Sequence, residues 1–395
     1  MTDAAVDYPP PWQLPTLRAV LALAARRGLT PRHVGGGLVH LGEGARLCRL
    51  DGIASDRTPF LAGQLCRSRW LTYRTWLQAG LPVPETAPAQ SVQAATAAAA
   101  KIGRPVVLRP IQAPPMVAPS PPVAGADAVA AAFGRHTPRG AVVSAAVPGP
   151  VGRHLIVDGA WRPAVAGGEV PHPLDRLLVE RAAAVCDIEL AVVELTGARP
   201  DRPFTETGAM LTALDAGLMP AASIAADPDS FAALYLDHLF PAAGDGRIPL
   251  VATIGIGAAA LAEEIAAGFA AAGRTVGLAT RSGLSVDGLR LMSDDRRGAA
   301  GLDLLVDHGA VEAAVIELPP GGCALAHPAL DVLVLAAPMG AADILPLLPN
   351  LRRGIVGAPV ADLDGAAAAA GLAWRAADAA SAAGTAIALS LQRTD

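Results

Sequence analysis

Residues Ile248 to Leu278 read IPLVATIGIGAAALAEEIAAGFAAAGRTVGL. The stretch starts with an apolar run, continues through a turn with Gly255 and Gly257 and a long alanine-rich segment, and ends in a second apolar run. Alanine has the highest helix propensity, and short apolar runs next to glycine are typical of buried strands. The stretch therefore predicts a strand–loop–helix–strand unit, and the α/β alternation after it predicts a parallel sheet with helices on both faces.

The turn in this unit lies where a phosphate-binding loop would be found. Such a loop follows G-x-x-x-x-G-K-[ST], because backbone N–H groups surround the phosphates, the lysine reaches them and the hydroxyl binds Mg²⁺. Here Gly255 and Gly257 are followed by the alanines Ala258, Ala259 and Ala260. We therefore expect the frame of a nucleotide site without its cation and hydroxyl.

The flanking sequence resembles the central domain of Mur ligases, in the form found in cyanophycin synthetase. The matching stretches are IPLVATIGIGAAA, GRTVGLATRSGLSVDG, VEAAVIELPPGGCA and ALDVLVL. The resemblance covers about residues 248 to 335 and implies a P-loop-type parallel-sheet α/β domain over 248–395. It makes Gly255 and Gly257 candidate cofactor-binding residues and Glu317 a candidate metal ligand. The histidine that the family has after the last strand is missing from APMGAADI.

The earlier part of the chain resembles the ATP-grasp domain of the same family. The matching residues are DRT at 56–58, LTYRTWLQAGLPVPE from Leu71, KIGRPVVLRP from Lys101 and the VPGP stretch from Val147. The resemblance implies an ATP-grasp-like α+β domain over 61–240. A helix and β-hairpin segment would precede it over 1–60, and the Gly/Pro/Asp-rich stretch 241–247 predicts a linker.

Three arginines are the candidate cofactor-binding residues of this first domain. By resemblance, Arg69 and Arg109 stand where the family has lysines, and Arg153 is retained. Arginine keeps the positive charge and can bind phosphate through two N–H groups, but it is larger and planar. Arg109 is thus either a phosphate ligand or a surface residue at the end of a strand.

The metal ligands implied by the ATP-grasp resemblance are mostly replaced. Glu194 stands at one metal-binding position, whereas Thr212 and Leu214 replace two others. Mg²⁺ needs several oxygen ligands, so Glu194 is either a metal ligand, with Asp215 helping after a one-residue slip, or an ordinary carboxylate. The stretch QAPPMVAPSPPVAG replaces a glycine-rich cover loop, and proline has no N–H to donate to phosphate.

Composition excludes several classes of function. The 395-residue chain is 52% hydrophobic, enough for two or three domains with cores, and its net charge of −5 does not suggest a nucleic-acid partner. Uncharged apolar runs long enough to cross a membrane are missing. The four cysteines lack metal-ligand spacing, which indicates a reducing compartment and hence the cytoplasm. Lys101 is the single lysine, although two ATP sites of these families would use several.

Two readings of function follow. In the first, the chain is a non-catalytic homologue of cyanophycin synthetase and Mur-type ligases that acts as a binding or partner subunit, with no confident cofactor. Its partner would be a second copy, an active ligase, or a small-molecule or peptide ligand. In the alternative, the ATP-grasp half is an ATP- and Mg²⁺-dependent ligase that adds an amino acid such as glutamate or aspartate to a small cofactor or peptide.

Overall fold

The computed structural model describes residues 15–112, 119–136, 140–163, 170–216, 227–242, 246–320, 330–358, 360 and 363–391. By their internal contacts the residues form two units. The first unit is mainly Arg49–Leu239, and it also includes Val34–Val39 and the chain before Ala24. The second unit is Phe240–Asp395 with Ala24–His33 and His40–Cys48. The finer division into 1–60, 61–240, 241–247 and 248–395 stays a prediction.

The N-terminal part of the described chain is a helix and a small sheet. Helix α1 covers Pro15–Arg26, in agreement with the helical spacing of its sequence, and Gly28 after it has the left-handed φ of 72° that ends many helices. Four strands follow in the order β1-β2-β3-β4, with β3 and β4 antiparallel. Their bounds are β1 (Arg32–Gly35), β2 (Leu38–Leu41), β3 (Cys48–Asp51) and β4 (Ala54–Ser55), with a 3₁₀ turn at Gly44–Arg46.

The first unit contains two antiparallel sheets, each covered by helices. Its elements are α2 (Phe60–Arg67), α3 (Arg69–Gln78), β5 (Thr86–Ala89), α4 (Val92–Ile102), β6 (Val106–Pro110), α5 (Ala126–His136), β7 (Ala141–Ala145), β8 (Val151–Val157), β9 (Ala160–Arg162), α6 (Pro173–Ala184), β10 (Leu190–Thr196), α7 (Phe204–Thr207), β11 (Met210–Ala216) and α8 (Pro228–Leu239). The smaller sheet has the order β5-β7-β6 and packs on α4 and α5. The larger has the order β11-β10-β8-β9 and packs on α2, α3 and α6.

The second unit is an eight-stranded sheet between helices, as the sequence predicts. Its elements are β12 (Leu250–Ile254), α9 (Ala258–Ala271), β13 (Val276–Thr280), β14 (Gly283–Val286), β15 (Leu289–Met292), α10 (Ala299–Val306), β16 (Ala313–Glu317), β17 (Leu330–Leu335), α11 (Ala341–Ile344), a 3₁₀ turn (Leu345–Asn350), β18 (Leu351–Gly357), α12 (Leu363–Ala369), β19 (Ala373–Ala376) and α13 (Ala379–Ser390). The strand order is β15-β14-β13-β16-β12-β17-β18-β19. The six strands from β13 to β19 in this order are parallel, and β14 and β15 form an antiparallel hairpin at one edge.

The central strand β12 shows why this sheet is covered on both sides. All five of its residues are buried. Val251 packs among side chains of α9 and α13, whereas Leu250, Ala252 and Ile254 pack among those of α10, α11 and α12. Because side chains alternate between the two faces of a strand, a run that is apolar at four of five positions has to be buried on both faces, and the one polar residue, Thr253, donates its hydroxyl to the Ala258 carbonyl.

Candidate functional site

The larger sheet of the first unit has one apolar and one polar face. On β10, Val193 and Leu195 point into the core under α6, so Glu194 and Thr196 lie on the opposite face. Glu194 is directly opposite Arg153 of β8 and Ala213 of β11. A register shift between Glu194 and Leu195 then allows the Thr212 hydroxyl to meet that of Thr196, 2.7 Å away. The polar face of this sheet is therefore the candidate site.

Five charged side chains meet on this face, and we call them the arginine cluster: Arg69, Arg109, Arg153, Glu194 and Asp215. Arg109 Nη2 lies 3.3 Å from Glu194 Oε2, and Arg153 Nε lies 3.2 Å from Glu194 Oε1. Arg69 Nη2 lies 3.7 Å from Asp215 Oδ1. The structure thus brings together all the candidate residues of the first unit, with Asp215, the alternative helper of Glu194, among them.

Burial within the cluster is uneven. Arg109 and Glu194 are each 9% exposed in their side chains, whereas Arg153 is 53% exposed. Arg109 is therefore a buried residue, and its reading as a surface residue at a strand end is wrong. Glu194 has each carboxylate oxygen beside a guanidinium group, so its negative charge is already compensated within the protein.

The pKa shifts in the cluster reflect its low solvent exposure. Burial lowers the pKa of Arg69, and the nearby positive charge of Arg109 lowers it further, whereas Asp215 acts in the opposite direction. Burial also raises the pKa of Asp215, and the charge of Glu194 adds to this rise. Among the described residues, Arg69 Nε has no hydrogen-bond partner. With three guanidinium groups and two carboxylates, the ionised cluster carries one excess positive charge.

Neutral polar residues around the cluster were not identified from the sequence. Tyr73 is buried, and its hydroxyl donates a 2.5 Å hydrogen bond to the Thr212 carbonyl. The Thr86 hydroxyl donates to that of Ser144 at 3.2 Å. Of these residues the resemblance named only Thr212, and only as the replacement of a metal-binding residue. In this chain they bond to one another or to the backbone.

The glycine turn of the second unit lies after the central strand β12, whose neighbours β16 and β17 are reached by connections in opposite directions. In open α/β sheets, ligands bind outside the carboxyl ends of the strands at such a point. Gly255 and Gly257 have φ values of 105° and 87°, which residues other than glycine rarely adopt. Ala258, at the position of the family's lysine, is buried and begins α9. Ile256 at the tip of the turn is 89% exposed.

Glu317 lies at the same edge, opposite Thr253 in the parallel ladder. Its Oε2 accepts a hydrogen bond from the Arg281 N–H at 2.9 Å, and its Oε1 lies 4.0 Å from Arg297 Nη1. Met339 lies beside the turn, with its sulfur 3.4 Å from where a Cβ on Gly255 would be. An apolar thioether therefore stands next to the turn, in the segment where the resemblance predicts a histidine.

The two candidate metal ligands do not form a magnesium site. Glu194 faces two arginines, and Glu317 faces a backbone N–H and an arginine. Over the described ranges, no group of three or more His, Cys, Asp or Glu side chains lies close enough together to hold a metal ion. Because a divalent cation is repelled by adjacent guanidinium groups and needs several oxygen ligands, these residues do not fit Mg²⁺. Six of the fourteen residues of the stretch at the cover-loop position, 113–118, lie outside the described residues.

Curated relatives support the resemblance seen in the sequence. The chain is similar to the cyanophycin synthetase of Synechocystis, with 28% identity over 164 residues, which are 40% of this chain and 19% of that protein. It is also similar to the cyanophycin synthetase of Trichormus variabilis, with 25% identity over 155 residues, 38% of this chain and 17% of that one. The matched region therefore spans less than a fifth of the length of these relatives. No family model matches the chain.

Solved structures of ATP-grasp proteins are also similar to part of this chain. A RimK domain ATP-grasp protein from Sphaerobacter thermophilus has 23% identity and a TM-score of 0.36, over 45% of this chain and 69% of that one. A bifunctional glutathione synthetase from Pasteurella multocida has 13% identity and a TM-score of 0.40, over 57% of this chain and 43% of that one. In the described part of the chain, no helix is both long and apolar enough to cross a membrane.

Proposed function

We propose that this chain is a non-catalytic relative of cyanophycin synthetase and Mur-type ligases that acts as a binding or partner subunit. The observation that carries this proposal is the pairing of Glu194 with Arg109 and Arg153. In a working nucleotide site, positive side chains and metal ions face the phosphates and stabilise the transferring group. Here the guanidinium groups face a carboxylate of the same chain.

The glycine turn of the second unit supports the same proposal. A buried alanine stands at the lysine position, and an exposed isoleucine stands at the tip. One hydrogen bond to a charged group contributes about 1.5–3 kcal/mol, so the loss of the lysine and the hydroxyl removes several such contributions. The turn joins a buried strand to a helix, as a phosphate loop does, without the side chains that select a triphosphate. ATP and Mg²⁺ are accordingly not cofactors in this proposal.

The partner in this proposal is a second copy of the chain, an active ligase, or a small-molecule or peptide ligand. A protein that has lost phosphoryl transfer but keeps two folded units still offers surfaces for assembly, because fold and function are separable. Size-exclusion chromatography with light scattering would measure self-association. Purification of the tagged chain from its own cells would recover a ligase partner.

One observation favours a ligase as the second candidate. Arg69, Arg109, Arg153 and Glu194 converge on one sheet face, and the half-exposed Arg153 leaves that face open to solvent. A ligase of the ATP-grasp type would use these residues to hold ATP while it joins an amino acid such as glutamate or aspartate to a small cofactor or peptide.

Calorimetry with ATP, with and without Mg²⁺, separates the two candidates. The non-catalytic proposal predicts no micromolar binding and no ADP release when glutamate or aspartate is supplied. Micromolar MgATP binding that is lost in Arg109→Ala, but retained in the exposed control Arg104→Ala, would establish the ligase and overturn the proposal.

A further inference from the structure

The helices that cover the larger sheet of the first unit have an apolar outer side. Helices α2, α3 and α6 each bury one side in the core under this sheet, and Trp76 of α3 donates a hydrogen bond from Nε1 to the Ala182 carbonyl of α6 at 2.9 Å. The three helices therefore form one layer. Six large apolar side chains of this layer are 43–78% exposed: Phe60, Leu61, Leu71, Leu77, Leu174 and Leu177. Single exposed apolar residues need no explanation, whereas a set of them on one layer marks a site of interaction.

The same three helices carry positive charge and little negative charge. Residues 60–78 contain three arginines and no Asp, Glu or Lys. The two acids of α6 are not free at its surface, because Asp175 is fully buried and Glu180 accepts hydrogen bonds from Arg176 Nε and the Trp161 N–H. In a chain with a net charge of −5, this layer is locally basic.

Three exposed arginines of the layer lack a counterion within the protein. They are Arg67 of α2, Arg74 of α3 and Arg181 of α6, and none of them has an ion-pair partner among the residues that the structure describes. On α3, Arg74 lies three residues after Leu71 and three before Leu77. Because helix positions three or four apart are neighbours on the surface, the free guanidinium group lies between exposed leucines.

We propose that this outer side of α2, α3 and α6, the arginine–leucine face, binds a second protein whose surface alternates acidic and apolar side chains. The leucines and Phe60 supply the apolar contact area, and carboxylates of the partner pair with the free guanidinium groups. Arginine and aromatic residues are enriched in protein interfaces, whereas Lys, Asp and Glu are depleted, and residues 60–78 have this composition. The proposal deepens the proposed function, on which it rests, by naming the surface and the chemistry of the protein partner.

A second copy of the chain does not fit this face. Two copies related by a two-fold axis bring the same patch of each copy together. The arginines of one copy would then face the arginines of the other, and like charges brought together across an interface disfavour the complex. The charge of the face therefore requires a partner of opposite charge.

The arrangement also favours a protein partner over a lipid surface. Helices that lie on membranes have their apolar residues on one side and their basic residues on the other, so that the apolar side enters the lipid. On α3, Arg74 stands between Leu71 and Leu77 on one side of the helix. Insertion of the leucines would carry the guanidinium group into the apolar region, whereas a protein can place a carboxylate beside it.

The first step of the test identifies what the face contacts. The full-length chain with benzoylphenylalanine, a photo-crosslinking residue, in place of Leu77 is expressed in its own cells and irradiated, and crosslinked peptides are identified by mass spectrometry. We expect one protein to be linked at a segment in which Asp or Glu adjoins apolar residues. The same residue in place of Gln93, at an exposed position of α4, should not give this product. If no protein product is specific to the Leu77 position, the proposal is overturned.

The second step measures binding to the purified partner. Arg74→Glu should raise Kd about tenfold, because it removes one surface ion pair and adds a repulsion, while the Tm of the exposed variant stays unchanged. Replacement of the crosslinked acid of the partner by arginine should restore Kd, and the control Arg104→Glu, outside the face, should not change it. An equal Kd for Arg74→Glu and wild type, or no rescue by the charge exchange, would overturn the proposal. Dimerisation of the chain, or flotation with phosphatidylglycerol vesicles, that Arg74→Glu abolishes would also overturn it.

Calorimetry with MgATP tests the proposed function separately, because Leu77 and Arg74 lie outside the arginine cluster. ATP turnover would remove the proposed function, whereas a missing crosslink at Leu77 would remove only the role of this face.

Discussion

Glu194→Gln is the substitution that tests the arginine cluster most directly. The change keeps the size of the side chain and removes the charge that Arg109 and Arg153 share. Removal of one partner of a buried ion pair costs about 3–5 kcal/mol. The ion pair between Glu194 and Arg153 adds little to this cost, because Arg153 is 53% exposed and ion pairs in contact with solvent contribute at most about 1 kcal/mol.

We therefore expect Glu194→Gln to lower the free energy of unfolding by about 3 kcal/mol, at the lower end of the range for buried pairs. In a unit of this size, each kcal/mol of lost stability lowers Tm by about 2–4 °C, so the expected fall in Tm is about 6–12 °C. Tryptophan fluorescence, to which Trp76 in the core of the first unit contributes, would follow the transition during heating. Glu206→Gln, at an exposed position of the same unit, is the matched control and should leave Tm unchanged.

The second half of this prediction concerns anions. In Glu194→Gln the two guanidinium groups lose their internal carboxylate, so inorganic phosphate should bind and raise Tm. At a concentration of ten times Kd, a ligand stabilises the folded state by about 1.4 kcal/mol. The wild-type protein should show a smaller shift at the same phosphate concentration. Equal Tm values for Glu194→Gln and wild type, or a larger stabilisation of the wild type by MgATP than of the variant, would refute the reasoning.

Two other predictions concern single residues. Burial lowers the pKa of His154 from 6.5 to about 4, so in acid the unfolded chain binds more protons at this residue than the folded chain does. The stability that neutral His154 contributes is therefore complete above pH 6.5 and is lost as the pH falls to about 4. At 1.36 kcal/mol per pKa unit, the loss is about 3 kcal/mol. Denaturant unfolding at several pH values should show that His154→Leu removes this part of the acid dependence of stability, whereas His33→Ala, at an exposed position, does not. If the unfolding free energy of His154→Leu still fell between pH 6.5 and 4 as in the wild type, the role given to His154 would be contradicted. Gly44→Ala would place a Cβ 2.1 Å from the Val311 carbonyl oxygen at a φ of 51°, whereas Gly273→Ala has a φ of 75° and open space. Thermal unfolding should therefore show a much larger loss for Gly44→Ala, while Gly273→Ala should lose about 1 kcal/mol; equal losses would rule out the clash.

The secondary structure of the second unit was largely predictable from the sequence. A strand buried on both faces is apolar at nearly every position, and IPLVATI, with Thr253 as its one polar residue, shows this pattern without any information from the rest of the chain. The helix at Pro15–Arg26 was also predictable, because its apolar spacing and the glycine after it are local signals. The antiparallel partners of β10 are more distant in sequence, and the sequence does not specify their register.

The composition of the arginine cluster was predictable, but its ion pairs were not. The resemblance selected Arg69, Arg109, Arg153 and Glu194 one by one, as positions that face a ligand. Their mutual contacts depend on the register of β8 against β10 and on the shift after Glu194, which are properties of pairing and not of any one segment. The burial of Arg109 likewise follows from packing between sheets.

The glycine turn after β12 is closed by the protein's own groups. The Thr253 hydroxyl donates to the Ala258 carbonyl at 2.9 Å, and the Ala258 N–H donates to the Gly255 carbonyl at 3.1 Å. The curvature of this turn thus requires no anion to maintain it. A turn that holds its shape through its own hydrogen bonds folds without a lysine, a hydroxyl or a bound anion, so the folding of this unit sets no requirement for phosphate-binding side chains here.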